Sequence, residues 1–393
     1  MRMRILKAAA SLALAAGLIT PALAEEVVKI GLILPMTGPS ASTGRQVSAG
    51  AKLYMAEHGD TVAGKKIELI LKDDTGTADV TKRLAQELVV RDKVNVLAGF
   101  GLTPLALAAA PVATQAKVPE VVMAAATSII TEKSPFIVRS SFTLPQVTKG
   151  IAQWAGKNEI KRASTLVTDY GPGIDAEKTF VEVFGAGGGE VVSTARVPLQ
   201  NPDFGPFLQK VKDEKPDAVF VFVPSGFGGV FMKQFRDRGL ADAGVKLIVT
   251  GDVTDDDLLP AMGEAAVGVT SSHHYSAAHP SEANKAFVAA FEKANDGMRP
   301  NFMAVGGYDG MRLIYEALKK TDGDTNGVKL VDAMKGMSFE SVRGPVTIDP
   351  ETRDIVQNVY IRKVEAVDGK LYNVEFDVLE AVPDPVKAAA KKG

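Results

Sequence analysis

Residues 27–44 read VVKIGLILPMTGPSASTG, an apolar run followed by a loop of glycine, proline and small hydroxyl residues. A nearly continuous apolar run is typical of a strand in a parallel sheet that helices cover on both faces. Ligands of such open sheets bind in the crevice beyond the carboxyl ends of the strands. The loop over 35–44 is therefore a candidate recognition loop.

A segment with the features of an export signal precedes this strand. Three basic residues, Arg2, Arg4 and Lys7, are followed by an apolar stretch over 8–19 that is too short to span a bilayer. The small-x-small pattern ahead of Glu25 predicts a signal peptide over 1–24, cleaved after Ala24, and hence a periplasmic protein. An uncleaved membrane anchor is the alternative. The chain has no cysteine, which excludes disulfides and a lipid on an N-terminal cysteine.

Length and charge limit the class of protein. The chain has 393 residues. Even after loss of the predicted leader it is longer than one hydrophobic core usually serves, so two lobes are expected. The formal net charge is −2, and loss of the basic leader makes the remaining chain more acidic. A nucleic-acid partner would need a basic face, so we expect none.

Strand-like and helix-like segments alternate from residue 27 to residue 250, and the order is run twice. This pattern predicts an α/β fold of two doubly wound lobes, with parallel sheets flanked by helices and a hinge of several strands between them. We place the crossovers near 141–143, 272–275 and 348–354. The predicted boundaries are 25–142 plus 275–348 for lobe 1, 143–274 plus 349–386 for lobe 2, and 387–393 for a disordered tail rich in alanine and lysine.

Small and hydroxyl residues follow two neighbouring strands of the first series. Thr103 and Pro104 come after the strand predicted over 94–99, with Thr103 at the helix N-cap and Pro104 at the first helical position. Such a helix start offers free N–H groups and a hydroxyl to an anion. The alternative is that Thr103 only caps its helix. Ala125 and Thr127 follow the next strand in the same way, which favours an anion-binding cleft.

Strands of the second series also end in polar or aromatic residues amid glycine. Tyr170 follows the first, Ser225 follows the third and Asp252 follows the fourth. An isolated aspartate in a tight turn is usually only a turn residue, but an unpaired carboxylate at a buried strand end is costly. A cationic group of a ligand would satisfy Asp252. If neighbouring backbone or hydroxyl groups do so instead, the inference of an amine fails.

The order and spacing of several motifs resemble the periplasmic solute-binding proteins of ATP-driven importers, in their branched-chain amino acid branch. The motifs are KIG at 29–31, TGP at 37–39, KDD at 72–74, TDYG at 168–171 and GPVTID at 344–349. The resemblance runs from Val28 to about Val378. It implies a type I two-lobed fold and a small amino acid or carboxylate ligand captured by hinge closure. It also implies a monomer that serves an inner-membrane permease with a cytoplasmic ATPase.

The resemblance further implies roles for five of the candidate residues. Thr103, Ala125 and Thr127 match positions that bind the ligand carboxylate through backbone N–H and hydroxyl groups. Tyr170 matches an aromatic residue that closes over the ligand from the second lobe. Asp252 matches an acidic residue that receives the ligand ammonium.

The side-chain pocket departs from the family pattern. Thr43 occupies a position that looks like a tyrosine in leucine-type binders, and we expect Phe100 to flank the cleft. A smaller Thr43 leaves room for a bulkier ligand. The ligand therefore stays open between a branched-chain amino acid, an aromatic amino acid and an aromatic carboxylate without an amine.

The sequence lacks the motifs of the enzyme classes considered. It has no His-Glu-x-x-His, Gly-x-Ser-x-Gly or Gly-x-x-x-x-Gly-Lys-Ser/Thr pattern, so we expect no catalysis, no cofactor and no metal. Adjacent His273 and His274 would point to opposite faces of a strand. The acidic run 255–257 is typical of a first helical turn. A periplasmic sensor that presents its ligand to a receptor is the alternative to a transport protein.

Overall fold

Two sheets flanked by helices build two lobes in the computed structural model, which describes residues 26–391. The signal peptide predicted over 1–24 lies outside the described residues. Within 26–391, no helix is both long and apolar enough to cross a membrane.

The strands of the described chain fall into two groups, one in each sheet. The first sheet contains β1 Val27–Leu34, β2 Thr61–Val62, β3 Lys65–Asp73, β4 Val96–Gly99, β5 Glu120–Val122 and β6 Ile137–Arg139. The second contains β7 Arg162–Thr168, β8 Glu190–Val197, β9 Ala218–Phe222, β10 Lys246–Thr250, β11 Thr270–His273, β12 Ser338–Ser341, β13 Gly344–Ile348, β14 Ile355–Val367 and β15 Lys370–Val382.

The helices cover both faces of these sheets. In chain order they are α1 Ala41–His58, α2 Ala78–Glu87, α3 Thr103–Ala116, α4 Leu144–Lys157, α5 Gly171–Ala186, α6 Gly205–Glu214, α7 Gly228–Asp237, α8 Leu259–Met262, α9 Glu282–Ala294, α10 Phe302–Lys320, α11 Gly327–Met334 and α12 Pro385–Ala390. Shorter helical turns lie at Leu88–Asp92, Ser128–Lys133 and Gly263–Ala266.

The opening strand β1 is apolar from Ile30 onwards because both of its faces are buried there. Ile30, Leu32 and Leu34 contribute to the large core on one side of the first sheet. Ile33 contributes to a separate core under α2 and α3 on the other side. This alternation follows from the two-residue period of a strand, and it makes β1 the centre of a doubly covered sheet.

Lobe 1 is built on the first sheet, whose strand order is β2-β3-β1-β4-β5-β6. All pairs are parallel except β2 with β3. Helices α9 and α10 return from the second half of the chain and pack against α1, and α11 packs against α10. The predicted doubly wound α/β architecture is confirmed, and residues 282–334 return to lobe 1.

Lobe 2 combines a parallel core with an antiparallel extension. Strands β7 to β11 pair in parallel, whereas β14 pairs antiparallel with β11, β13 and β15. Strands β12 and β13 therefore belong to the second sheet, although the sequence placed them in lobe 1. The third predicted crossover, 348–354, is a turn between two paired strands. Alternating strand patterns reveal a hairpin but not the sheet that it joins.

The end of the chain differs from its prediction as a disordered tail. Residues Pro385–Ala390 form α12, and Asp384 caps this helix by accepting from the N–H groups of Val386 and Lys387. Lys387 is 7% exposed and forms an ion pair with Asp354. A lysine in an alanine-rich segment normally indicates a solvated face, and only the fold reveals the buried carboxylate that it meets.

Helices α1 and α10 pack so closely that glycine is required at their contact. A Cβ at Gly307 would lie 2.2 Å from the carbonyl oxygen of Val47. We expect Gly307→Ala to lower the free energy of unfolding by about 2–3 kcal/mol, because the helices must move apart. Chemical denaturation of both proteins measures the difference. In the control Gly185→Ala, nothing lies within 4 Å of the new methyl group, and a gain of about 1 kcal/mol is expected.

Candidate ligand-binding site

A pocket lies between the lobes, at the carboxyl ends of strands from both sheets. Lobe 1 and the first crossover contribute Thr43, Gly101, Leu102, Thr103, Ala124, Ala125, Ala126, Phe142, Leu144 and Met303. Lobe 2 contributes Tyr170, Pro172, Phe222, Pro224, Ser225 and Asp252. A concave site between two lobes, lined mostly by apolar and aromatic side chains with a few polar groups, suits a small molecule.

The two lobes touch along one edge of this pocket. The carboxylate of Asp175 in α5 accepts a hydrogen bond from the N–H of Ser128 in lobe 1, at 2.8 Å. Burial raises the pKa of Asp175. A Cβ at Gly171 would lie 2.6 Å from Thr127 Oγ1, so the start of α5 is pressed against lobe 1. The structure is therefore a closed form.

Thr103 lines the lobe 1 side of the pocket, and Thr127, predicted as a ligand residue, lies next to it but is not among the lining residues. Their hydroxyl oxygens are 2.7 Å apart, and both residues are buried. Leu102, not Thr103, is the N-cap of α3, and no side chain caps the helix. The prediction of Thr103 as N-cap is therefore wrong by one residue, and its hydroxyl bonds to Thr127 instead.

Free backbone donors surround this pair of hydroxyls. Among residues 26–391, no protein acceptor receives a hydrogen bond from the N–H groups of Leu102, Thr103 or Ala126. All three residues line the pocket. We call these N–H groups and the hydroxyls of Thr103 and Thr127 the donor cluster. Together with the start of α3, the donor cluster is suited to bind an anion.

Ala125 lines the pocket but does not supply the free N–H that the sequence predicted. Its N–H already donates to the carbonyl oxygen of Phe100 at 3.0 Å. The free group belongs to the next residue, Ala126. Which N–H of a loop stays free depends on the path of the neighbouring loop, and no local pattern in the sequence reports that path.

Phe100 does not line the pocket, which corrects its prediction as a cleft residue. Its side chain is fully buried in the core under α2 and α3. Gly99 and Phe100 have φ values of 108° and 66°, both in the left-handed region. This turn directs the ring to the covered face of the sheet. A non-glycine residue with positive φ is uncommon, and no residue type near Phe100 indicates such a turn.

The remaining walls are mostly apolar and aromatic. Thr43 lies in α1 and is 3% exposed, against the loop that contains Gly101. Tyr170 stacks on Phe222 with ring centroids 6.1 Å apart. Burial raises the pKa of the Tyr170 phenol well above its ordinary value. Met303 enters from α10, a contact that had no signal in the sequence.

Ser225 lines the pocket, but its hydroxyl is already engaged. It donates to Asp255, which also accepts from Asn301 Nδ2 at 2.9 Å. Burial raises the pKa of Asp255 to about 7. The acidic run 255–257 was predicted to form the first turn of a helix. It precedes the helix instead, because α8 begins only at Leu259.

Asp252 presents a buried acceptor on the lobe 2 side. It is 3% exposed, and within the described chain its Oδ2 has no hydrogen-bond partner. The nearest basic atom is His273 Nε2 at 3.4 Å. Burial lowers the pKa of His273 to about 4, so this ring is neutral at pH 7. Asp252 thus lacks a cationic partner and can accept a hydrogen bond from a ligand.

The histidine pair differs from its prediction. The rings of His273 and His274 lie 4.5 Å apart, both packed on Phe142 and Phe302, instead of on opposite faces of a strand. Strand β11 ends at His273, so the alternation of strand side chains stops there. Among residues 26–391, no group of three or more acidic or histidine side chains is arranged to hold a metal ion.

The model of the periplasmic binding protein family matches residues 27–370. The chain belongs to this family. It is a type I periplasmic binding protein of the branched-chain amino acid branch and the solute-binding component of an ABC transporter, as predicted. Its members are solute-binding proteins and not enzymes.

This periplasmic binding protein is similar in sequence or structure to three relatives with a descriptive name or a bound ligand. It is 46% identical over 367 residues to Leu/Ile/Val-binding protein homolog 6 of Brucella abortus, which covers 92% of this chain and 93% of the relative. A solute-binding protein of Rhodopseudomonas palustris BisB5, in complex with 3,4-dihydroxybenzoic acid, is 66% identical with a TM-score of 0.90. The match covers 92% of this chain and 100% of that protein. A solute-binding protein of strain HaA2, in complex with p-hydroxybenzoic acid, is 46% identical with a TM-score of 0.90. The match covers 93% of this chain and 100% of that protein.

The neutral state of His273 predicts a pH dependence of stability. Its pKa is about 4 in the folded protein against an ordinary 6.5, so the unfolded chain takes up a proton first as the pH falls. The contribution of neutral His273 to the free energy of unfolding is fully present above pH 6.5 and is lost as the pH falls towards 4. In ligand-free protein, we expect the advantage of wild type over His273→Gln to shrink by about 2 kcal/mol between pH 7 and pH 5.

Urea denaturation at each pH measures this difference, and His58→Gln, which removes an exposed histidine, is the matched control. An equal shrinkage in the control, or none in His273→Gln, would contradict the assignment.

Proposed function

We propose that this protein captures an aromatic carboxylate with a ring hydroxyl group, of the hydroxybenzoate class. The carrying observation is the division of the pocket into three parts. The donor cluster lies on the lobe 1 side, aromatic side chains form the walls, and the unpartnered carboxylate of Asp252 lies on the lobe 2 side.

The donor cluster suits the carboxylate of such a ligand. The free N–H groups, together with the one hydroxyl proton that the bond between Thr103 and Thr127 leaves available, make charge-assisted hydrogen bonds to an anion. The start of α3 adds the favourable end of a helix dipole. Leaving these donors buried without a partner costs about 1–3 kcal/mol each, so a bound carboxylate stabilises the closed form.

The rest of the pocket suits a hydroxylated ring. Phe142, Tyr170 and Phe222 offer apolar surface for an aromatic ring. A phenol hydroxyl can donate to Asp252, whose Oδ2 has no hydrogen-bond partner within residues 26–391. The ligands of the two Rhodopseudomonas relatives have this chemistry, which supports the proposal.

A branched-chain amino acid is the second candidate. The name of the 46% identical Brucella relative favours it. Its ammonium would pair with Asp252, and its carboxylate would use the same donor cluster. The two candidates therefore differ in what they offer to Asp252 and to the aromatic walls.

Capture proceeds by hinge closure in this proposal. A ligand that contacts both lobes favours the closed form by its higher affinity for that form. The closed, monomeric protein then docks on an inner-membrane permease with a cytoplasmic ATPase and catalyses no reaction itself. We place it in the periplasm, with the signal peptide cleaved after Ala24. Unchanged uptake of the ligand in a deletion strain would favour the sensor alternative.

Direct binding separates the candidate ligands. We expect 4-hydroxybenzoate and 3,4-dihydroxybenzoate to bind at least tenfold more tightly than benzoate, because a hydrogen bond to a charged acceptor contributes about 1.5–3 kcal/mol. Leucine should bind more weakly than all three, since it does not fill the space between the aromatic walls. Isothermal titration calorimetry of protein freed of ligand by unfolding and refolding gives these values. Tight binding of leucine alone would overturn the proposal.

The role of Asp252 can be tested by its removal. We expect Asp252→Ala to weaken 4-hydroxybenzoate by about 10- to 100-fold, because the acceptor of the phenol hydroxyl is lost. Benzoate has no hydroxyl and should lose little affinity. The control Asp169→Ala removes an exposed carboxylate at the end of β7 and should change neither value. Equal losses for both ligands would place Asp252 outside the recognition of the hydroxyl.

A further inference from the structure

A buried guanidinium lies directly beneath the donor cluster. Arg139, the last residue of β6, is completely buried. It donates to the carbonyl oxygens of Thr127 at 2.7 Å, Phe142 at 3.1 Å and Ala125 at 3.4 Å. One planar side chain thus holds the loop after β5 to the chain that leaves β6 for the second lobe.

These contacts determine which way the N–H groups of the loop point. A peptide unit is planar and trans, so its C=O and its N–H point in opposite directions. The carbonyl of Ala125 faces Arg139, and the N–H of Ala126 therefore faces the pocket as part of the donor cluster. The carbonyl of Thr127 also faces Arg139, and the N–H of Ser128 on the other side of that peptide unit reaches Asp175 in lobe 2.

Arg139 is itself held by a chain of charges that ends in the C-terminal helix. Its Nε lies 2.9 Å from Asp354 Oδ1, in the turn between β13 and β14. The other carboxylate oxygen of Asp354 accepts from Lys387 Nζ in α12. Lys387 also donates to Thr131, in the helical turn that follows the loop. Asp354 therefore holds Arg139 from one side and is held by Lys387 on the other.

We propose that Arg139 is a positioning residue for ligand binding and that α12, through Lys387 and Asp354, keeps it in place. Arg139 aims one peptide N–H at the ligand and a second at the opposite lobe, so a single side chain prepares both ligand capture and closure. The part that concerns the ligand rests on the proposed carboxylate contact at the donor cluster. The C-terminal helix is then a part of the binding machinery, although it lies outside the pocket.

Lys387 gives the sharper test, because replacing the fully buried Arg139 can prevent folding. Lys387→Met removes the charge and keeps most of the volume, and Lys387→Arg keeps the charge. Lys391→Met is the matched control, since this lysine belongs to the same end of the chain but pairs with Asp349 and Glu351 at the surface. We expect the dissociation constant for 4-hydroxybenzoate to rise about tenfold in Lys387→Met, to recover in Lys387→Arg and to stay unchanged in Lys391→Met.

A second readout needs no ligand. In ligand-free protein, the amide NMR signals of Ala126 and Ser128 should shift in Lys387→Met and stay in place in Lys391→Met. If Lys387 only stabilises the fold, Lys387→Met would lower the free energy of unfolding but leave the dissociation constant of the folded protein unchanged. An unchanged dissociation constant in Lys387→Met overturns the inference.

Failure of the proposed function has a different outcome. In that case wild type does not bind 4-hydroxybenzoate, and the dissociation constants are measured with whichever carboxylate of the panel it does bind. If wild type binds none of them, the amide signals decide: signals that stay in place in Lys387→Met overturn the positioning role, and signals that shift support it.

Discussion

The carboxyl ends of parallel strands from the two sheets face each other, and several polar groups there have no protein partner among residues 26–391. On one side are the N–H groups of Leu102, Thr103 and Ala126, and on the other is the carboxylate of Asp252. Burying such groups without hydrogen bonds is costly, and in the proposed function a ligand offers an anion to one lobe and a hydrogen-bond donor to the other. On this proposal, ligand recognition and lobe closure are coupled.

The region between the lobes is organised by buried arginines paired with aspartates. Arg139 pairs with Asp354 and holds carbonyls of the loop after β5. Arg343 pairs with Asp309 at 2.8 Å and donates to the carbonyls of Ser140 and Ser141 in the first crossover. Arg362 lies 3.8 Å from Asp256 and donates to the carbonyl of Tyr275 in the second crossover. Planar guanidinium groups can hold several carbonyls at once, which gives each crossing segment a defined path.

Local patterns in the sequence predicted much of the fold and part of the site. The apolar run of β1 reported a strand covered on both faces, and the residues after β4, β5 and β10 reported the edge at which ligands bind. Thr43, Thr103, Ala125, Tyr170, Ser225 and Asp252 all line one pocket. The prediction that Phe100 flanks the cleft was wrong because a left-handed turn directs its ring to the other face of the sheet. The prediction of a free N–H at Ala125 was wrong because this N–H donates to the carbonyl oxygen of Phe100. Both errors depend on dihedral angles and loop paths that residue types do not report.

The sequence by itself determined the α/β fold class and the edge at which a ligand binds, because strand period, helix starts and strand-end chemistry are encoded within a few neighbouring residues. The class of protein followed from the resemblance of its motifs to a known family. The tertiary structure alone decided how distant segments meet. It placed β12 and β13 in the second sheet, brought His273 and His274 together behind the pocket, and buried Lys387 against Asp354. The physical reason is that the energy of a buried charge depends on the partner that the fold brings to it, and that partner can lie anywhere along the chain.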